Sequence, residues 1–144
     1  MAITFISNIE VCKDVIGQEA YNFLTEVAGE IQGQAQRNSR VDTGQLKSSW
    51  KWVLNEDEYK AYIGSNLENA IWEEFGTGIY AENNDGAKSG AGRQTPWLYT
   101  DRHGKTHFTR GKTANHTLQR AYDMKKRSIE KYAKMTFGGI KWNF

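Results

Sequence analysis

The sequence predicts an α+β fold: an antiparallel β-sheet packed by a long N-terminal helix and a C-terminal helix, with a long glycine-rich loop. Three observations predict it. Apolar residues recur at helical spacing near both ends of the chain, and two stretches between them alternate like the strands of hairpins. Polar, glycine-rich residues 76–94 separate the two hairpins. No repeat and no linker divides the 144 residues, so we expect one domain, 1–144.

The first helix is predicted from Asp14, a plausible N-cap, to the polar run at residues 37–40, a length of about 24 residues. Its apolar positions follow a helical period, with glutamate and glutamine between them. Residues 2–12 alternate loosely and predict a short strand or an ordered arm. The apolar positions are Ile16, Ala20, Phe23, Leu24, Val27, Ala28, Ile31 and Ala35.

The segment Val41–Gly78 begins with the sequence VDTG, in which Asp42 and Gly44 predict a turn. Asp42 or Thr43 can cap a short helical turn through residues 45–47. A strand is predicted at 48–54, with Trp50, Trp52 and Leu54 on one face and Lys51 and Val53 on the other.

The return strand of this hairpin is predicted at 59–64, where Tyr59, Ala61 and Ile63 alternate with polar or aromatic residues, and Gly64 ends it in a turn. A short helix follows at 68–75. Its inward residues are expected to be Ala70, Ile71 and Phe75, with Trp72 as a further candidate, and Gly76 and Gly78 form the turns after it.

Residues 76–94 are predicted to form a flexible loop that orders on contact with a partner. A second hairpin pairs 97–101 with 105–110 across Arg102, His103 and Gly104. Thr113 or Asn115 is expected to cap the last helix, and Gly138 and Gly139 to stop it. The C-terminal arm is assigned to residues 136–144, which overlaps the end of the helix.

The composition limits the classes of protein that the chain can represent. Cys12 is the only cysteine, which excludes an intramolecular disulfide and fits a reducing compartment. No signal peptide and no apolar run long enough to cross a membrane is present, so we expect no membrane partner. Residues 1–92 have a net charge of −7 and residues 93–144 a net charge of +9. This division indicates either two solvated faces or complementary edges that guide head-to-tail association.

No residue pattern predicts catalysis, a metal or a cofactor. His103, His107 and His116 lack the spacing of a zinc motif, so structural or surface roles are expected. Glu73 and Glu74 are adjacent on a helix and do not face each other across a substrate, which favours a solvated or interface face. The glycines of 76–92 match no phosphate-binding motif. The basic run 125–127 leaves nucleic-acid binding open as an alternative.

Four sequence motifs together resemble the tail-completion, or head–tail joining, family of long-tailed bacteriophages, which is related to the lambda-like minor tail protein Z. The motifs are VDTGQLKSSW, YIGSN, AIWEEFGTG and TPWLYTDRHGKTHFTRG, and they extend from Val41 to about Ala121. The family's usual proline and Phe-Leu pair before the last helix is replaced here by residues 115–118, Asn-His-Thr-Leu.

The resemblance implies a non-enzymatic structural protein of the virion neck, which completes the tail and joins it to the DNA-filled head. It implies a homo-oligomeric, hexameric ring that contacts tail-tube and head-connector or stopper proteins and that DNA passes through. The chain would be located in the virion, and in the host cytoplasm during assembly. The residues expected at the assembly interfaces are Glu73, Glu74, Tyr80, Arg93, Trp97, Arg102, Lys125, Lys126, Arg127, Trp142 and Phe144.

Overall fold

The computed structural model of the chain describes residues 9–41, 44–82 and 92–138, with side chains from residue 13 onward. It has the predicted α+β class, with a long helix at each end of the described chain. The strands form two separate two-stranded antiparallel sheets instead of one continuous sheet. The elements are α1 (Ile9–Asn38), α2 (Gln45–Ser49), β1 (Trp50–Asn55), β2 (Lys60–Ser65), α3 (Asn69–Phe75), a 3-10 turn (Gly78–Tyr80), β3 (Trp97–Thr100), β4 (Thr106–Thr109) and α4 (Thr117–Phe137).

Helix α1 contains 30 residues and begins at Ile9, five positions before the predicted start. The prediction that Asp14 caps it was therefore wrong, because Asp14 lies inside the helix with an exposed side chain. The strand or arm expected at 2–12 is helical at residues 9–12, where neither glycine nor proline interrupts the helix. Residues 2–8 of that prediction lie outside the described residues.

Helices α1 and α4 pack antiparallel along most of their lengths. Phe23 of α1 stacks on Tyr132 of α4 with ring centroids 5.3 Å apart. At the opposite end of α1, the side-chain amide of Asn38 donates to the Thr117 carbonyl at the start of α4, and the Asn38 carbonyl accepts from the Asn115 side-chain amide. Between these ends, Ala28 and Ala121 are fully buried. Small side chains at these positions allow the two helix backbones to approach closely.

The core lies where α1, the first hairpin, α3 and α4 meet. Its buried residues are Ile31, Ala35, Leu46, Trp50, Ala70 and Ala121. The cluster contains one large aromatic side chain, Trp50, which is 3% exposed. Its indole Nε1 donates to Ser39 Oγ at 2.8 Å, and Ser39 Oγ in turn donates to the carbonyl of Ala35 at 2.8 Å. The end of α1 is thereby fixed to the start of β1 by a buried polar chain.

The first hairpin follows the predicted alternation. Trp50 is buried and Trp52 and Leu54 are half-buried on the face toward α1, whereas Lys51 and Val53 are exposed. The strand register pairs Val53 with Tyr62, and both side chains are on the outer face, 63% and 54% exposed.

Two expectations at the return strand need correction. Tyr59 lies in the turn with a φ of 50°, not in the strand, and its hydroxyl lies over Gly17 of α1. Gly64 lies within β2, paired with Lys51, instead of ending the strand in a turn. A Cβ atom at Gly64 would meet nothing within 4 Å, so no contact requires glycine there.

Helix α3 points two of the three predicted residues inward and leaves the third exposed. Ala70 is buried and Phe75 half-buried as expected, but Ile71 is 59% exposed. Glu73, which was assigned to a solvated or interface face, is 7% exposed. The reason is tertiary: the chain before α4 passes over the Glu73 side of this seven-residue helix and covers it.

We predict that Ser39→Ala lowers the free energy of unfolding by about 1–3 kcal/mol, because the buried Trp50 N–H loses its acceptor. Urea unfolding followed by tryptophan fluorescence would measure the change. Ser48→Ala is the matched control, since its exposed hydroxyl donates only to Gln45 O within its own short helix. Equal stability of the two variants would contradict the structural role given to the Trp50–Ser39 bond.

Candidate assembly surface

The segment after α3 crosses the segment before α4, and the two are joined by backbone hydrogen bonds. Thr77 N donates to Lys112 O at 2.8 Å, and Lys112 N donates to Thr77 O at 3.2 Å. Ile79 N donates to Arg110 O at 3.1 Å, which extends the pairing by one more bond. We call the contact of residues 76–79 with residues 110–112 the glycine crossing.

Three glycines allow the backbones to approach at this crossing. Gly76, Gly78 and Gly111 have φ values of 75°, 64° and 127°, a region that other L-residues rarely adopt. A Cβ atom at Gly78 would overlap Arg110 O, and one at Gly111 would overlap Thr77 O. Both the conformation and the lack of space therefore require glycine at these positions. Gly44 also has a positive φ, 76°, and Asp42, the other residue of that predicted turn, lies outside the described residues.

Glu74 caps α4 from a distant part of the sequence. Its two carboxylate oxygens accept from the backbone N–H groups of Leu118 and Gln119 at 2.8 and 2.9 Å. A carboxylate at a helix N-terminus satisfies unpaired donors and interacts favourably with the helix dipole. Thr113 and Asn115, the expected caps, do not have this role, and the N-cap residue is His116 in a left-handed conformation.

Glu73 forms an ion pair with Lys112 beside the crossing. Its Oε2 is buried and has no hydrogen-bond partner among the described residues, while its backbone carbonyl accepts from Asn115 N at 2.7 Å. Glu73 and Glu74 thus face the interior of their own chain. Sequence reasoning missed both roles, because their partners are about 40 residues away and no local pattern marks them.

The first part of the predicted flexible loop is ordered by the crossing. Residues 78–80 form a 3-10 turn, and Glu82 N donates to Phe75 O at 2.7 Å. Glu82 Oε2 lies 2.9 Å from His116 Nε2, in position for an ion pair when the imidazole is protonated. Residues 83–91 lie outside the described residues, so the prediction of flexibility remains untested there.

The second hairpin projects from the crossing and exposes apolar side chains. Its register pairs Leu98 with Phe108, which places both on one face, and they are 67% and 66% exposed. On the opposite face Tyr99 stacks on His107, with ring centroids 5.2 Å apart. Isolated two-stranded hairpins are only marginally stable, and large exposed apolar side chains at such a site typically mark a contact surface.

The turn of this hairpin is organised by Asp101. Its Oδ1 accepts from the backbone N–H groups of His103 and Lys105, both at 2.9 Å, and its Oδ2 lies 2.7 Å from His107 Nε2. The hydrogen bond to His107, followed by that to Lys105, lowers the pKa of Asp101 from its ordinary value of 3.8. Two of the candidate histidines, His103 and His107, therefore belong to the structure of this turn.

The other residues expected at assembly interfaces are distributed over several surfaces. Tyr80 is 40% exposed, and the Arg93 guanidinium lies 5.5 Å from the centre of the half-buried Trp97 ring. Arg102 donates to His103 at the tip of the second hairpin. On α4, Lys125 pairs with Glu30 at 3.2 Å, and Lys126 and Arg127 are exposed. The last two members, Trp142 and Phe144, lie outside the described residues.

In residues 9–41, 44–82 and 92–138, no group of three potential ligands is arranged to hold a metal ion. Over the same ranges, no helix combines the length and the apolar character that a membrane span needs.

The chain matches the model of the HK97-gp10-like family over residues 3–76, just over half of its length. The family is described as "Bacteriophage HK97-gp10, putative tail-component". No curated protein and no solved structure is significantly similar to the chain.

The chain therefore belongs to the HK97-gp10-like family, and it is a tail-associated structural protein of a bacteriophage. The matched region contains α1, the first hairpin and α3, together with the VDTG, YIGSN and AIWEEFG motifs. The second hairpin and α4 lie beyond it. The resemblance seen in the sequence is confirmed at the level of a phage tail family, and a tail component assembles with other virion proteins.

We predict that Gly76→Ala lowers the free energy of unfolding by about 2–3 kcal/mol or abolishes folding, because a positive φ is strained for alanine. The new Cβ would also lie 2.6 Å from Lys112 O. Gly64→Ala is the matched control and should change stability by less than about 1 kcal/mol, since its Cβ meets nothing. Urea denaturation of both variants measures the difference. Similar stabilities would show that the crossing does not require glycine.

We predict that the second hairpin loses order as the pH falls through the lowered pKa of Asp101, below 3.8. The sign follows from linkage: a carboxylate with a depressed pKa stabilises the folded state above its unfolded pKa, and this contribution disappears on protonation. NMR of the Tyr99 and His107 rings would follow the transition. Asp101→Ala, which removes both acceptor oxygens, should show the disordered spectrum already at neutral pH. An Asp101 that titrates at its ordinary pKa in the folded protein would contradict the prediction.

Proposed function

We propose that the protein completes the phage tail and joins it to the DNA-filled head, as a ring of identical subunits and without catalysis. Membership of the phage tail family supports a structural role in the virion. The observation that carries the assembly role is the second hairpin, whose Leu98 and Phe108 are two-thirds exposed in the isolated chain. Side chains of this size are usually covered by a partner when they cluster on a projecting element.

The ring is proposed to be hexameric, because the tail tube of long-tailed phages has sixfold symmetry and a neck component stacks on it. Its other partners would be tail-tube and head-connector or stopper proteins. The division of charge along the sequence supports association between unlike surfaces, which generates rings when the rotation between subunits closes. We further propose that the chain is a single domain located in the virion, and in the host cytoplasm during assembly.

Nucleic-acid binding remains the second candidate, and the exposed basic side chains of α4 favour it. Arg120, Arg127, Lys131 and Lys134 are exposed and recur at helical spacing. DNA that passes through a neck ring would meet a basic surface if α4 lined the opening. Gel-shift measurements over a range of salt concentrations test this second candidate. Binding that weakens steeply with salt supports DNA contact, and no binding at low salt excludes it.

The proposed function predicts that a phage lacking this gene produces separate heads and tails. Electron microscopy of lysates would count joined particles, and plaque assays would count infectious ones. Wild-type protein supplied in trans should restore both counts, and Gly64→Ala should do so equally well, since no contact requires that glycine. Joined, infectious particles in the complete absence of the protein would contradict a head–tail joining role.

A further inference from the structure

Two faces on this chain each centre on an exposed apolar cross-strand pair, and the turns of their hairpins carry opposite charges, although Lys51 and Lys60 also lie on the first face. The first is the outer face of the β1–β2 hairpin, centred on the cross-strand pair Val53 and Tyr62. The second is the face of the β3–β4 hairpin centred on the cross-strand pair Leu98 and Phe108. All four side chains are more than half exposed, so the described residues leave both pairs uncovered. We call these surfaces the Val53 face and the Leu98 face.

The tips of the two hairpins carry opposite charges. The turn above the Val53 face is acidic, with exposed Glu56, Asp57 and Glu58, although Glu58 also pairs with Lys60 at 2.9 Å. The turn above the Leu98 face is basic, with Arg102 and Lys105 exposed. The acid of this second turn, Asp101, bonds to His107 and to backbone N–H groups of its own hairpin, and Arg102 donates to His103.

In both hairpins the charged turn lies at the same distance along the strands from the apolar pair. Val53 precedes Glu56 by three residues, and Phe108 follows Lys105 by three residues. With a rise of about 3.3 Å per strand residue, each tip is about 10 Å from its apolar pair. Two sheets packed face to face with aligned strands would therefore cover both apolar pairs and bring acidic and basic turns together in one arrangement.

We propose that the Leu98 face of one subunit packs on the Val53 face of the next copy of the same chain. This inference rests on the proposed ring, and it names the contact that builds it. A second copy is the occupant because one chain carries both complementary halves and buries neither. A contact between two different surfaces is heterologous, so each subunit uses its Leu98 face on one side and its Val53 face on the other. Repetition of that contact gives a closed ring when the rotation between neighbouring subunits returns to the first subunit.

Site-directed cross-linking tests the contact directly. In a Cys12→Ser background, the Leu98→Cys variant is mixed with the Val53→Cys variant, and a short bis-maleimide is added. The same reagent is added to phage particles that contain both variants. We expect a heterodimer band at least about tenfold stronger than random collision gives, because the interface raises the local concentration of the two thiols. Val15→Cys is the matched control, since Val15 is a valine of similar exposure, 58%, on α1.

The proposal is overturned if Leu98→Cys links to Val15→Cys, or to itself, as readily as to Val53→Cys. It is equally overturned if particles that contain the protein yield no Leu98–Val53 product. Either result can occur while heads and tails are still joined, in which case the neck function stands and only this interface is wrong. Normal joining in the gene deletion would instead remove the function, without changing the cross-linking result on purified protein.

A charge exchange provides an independent test in folded protein. Glu56→Lys with Asp57→Lys should weaken self-association by about tenfold or more, since like charges would then meet at the tips. Arg102→Glu with Lys105→Glu should weaken it similarly. The four substitutions together restore opposite charges and should recover association. Failure of the combined variant to recover, when circular dichroism shows it folded, contradicts the proposed pairing of tips.

Discussion

The arrangement of this protein depends on the backbone contact between Thr77 and Lys112, where Gly78 and Gly111 remove the side chains that would keep the two segments apart. The paired N–H and C=O groups are satisfied only at this close approach, and glycine is the residue that permits it without strain. The crossing connects the family-matched first half of the chain to the second hairpin and α4. Helix α4 is also held by its packing against α1 and by the bonds of Glu74, so the crossing chiefly fixes the base of the second hairpin.

The crossing links the core of the protein to its proposed assembly surface. On its inner side, Glu74 satisfies the first N–H groups of α4, whose Ala121 then packs at the core with α1. On its outer side, β4 leads directly into Arg110, so the second hairpin leaves the body of the protein from a fixed base. Glu73 and Glu74 are used inside the chain, whereas the second hairpin and the outer face of the first hairpin expose large apolar side chains.

The predictions from sequence succeeded where a local period reports on burial. Alternation through Trp50, Trp52 and Leu54 gave the correct inner face of β1, since side chains of a strand point to opposite sides. The predictions failed where contacts with a distant segment decide which side of an element is buried. Ile71 looked like a core residue of α3, but the chain before α4 covers Glu73 instead and leaves Ile71 exposed. The start of α1 was placed at a plausible cap, although no residue before Asp14 prevents the helix from extending to Ile9.

The sequence by itself determined the α+β class, the two hairpins, the two long helices and the phage tail family, because all of these rest on residue periods and motifs contiguous along the chain. It also showed that glycines at 76 and 78 matter, although not what they approach. Only the tertiary structure decided that Gly78 meets Gly111, that Glu74 caps a helix 43 residues later and that the strands form two sheets. These features depend on contacts between segments distant in sequence, whose packing no local pattern encodes.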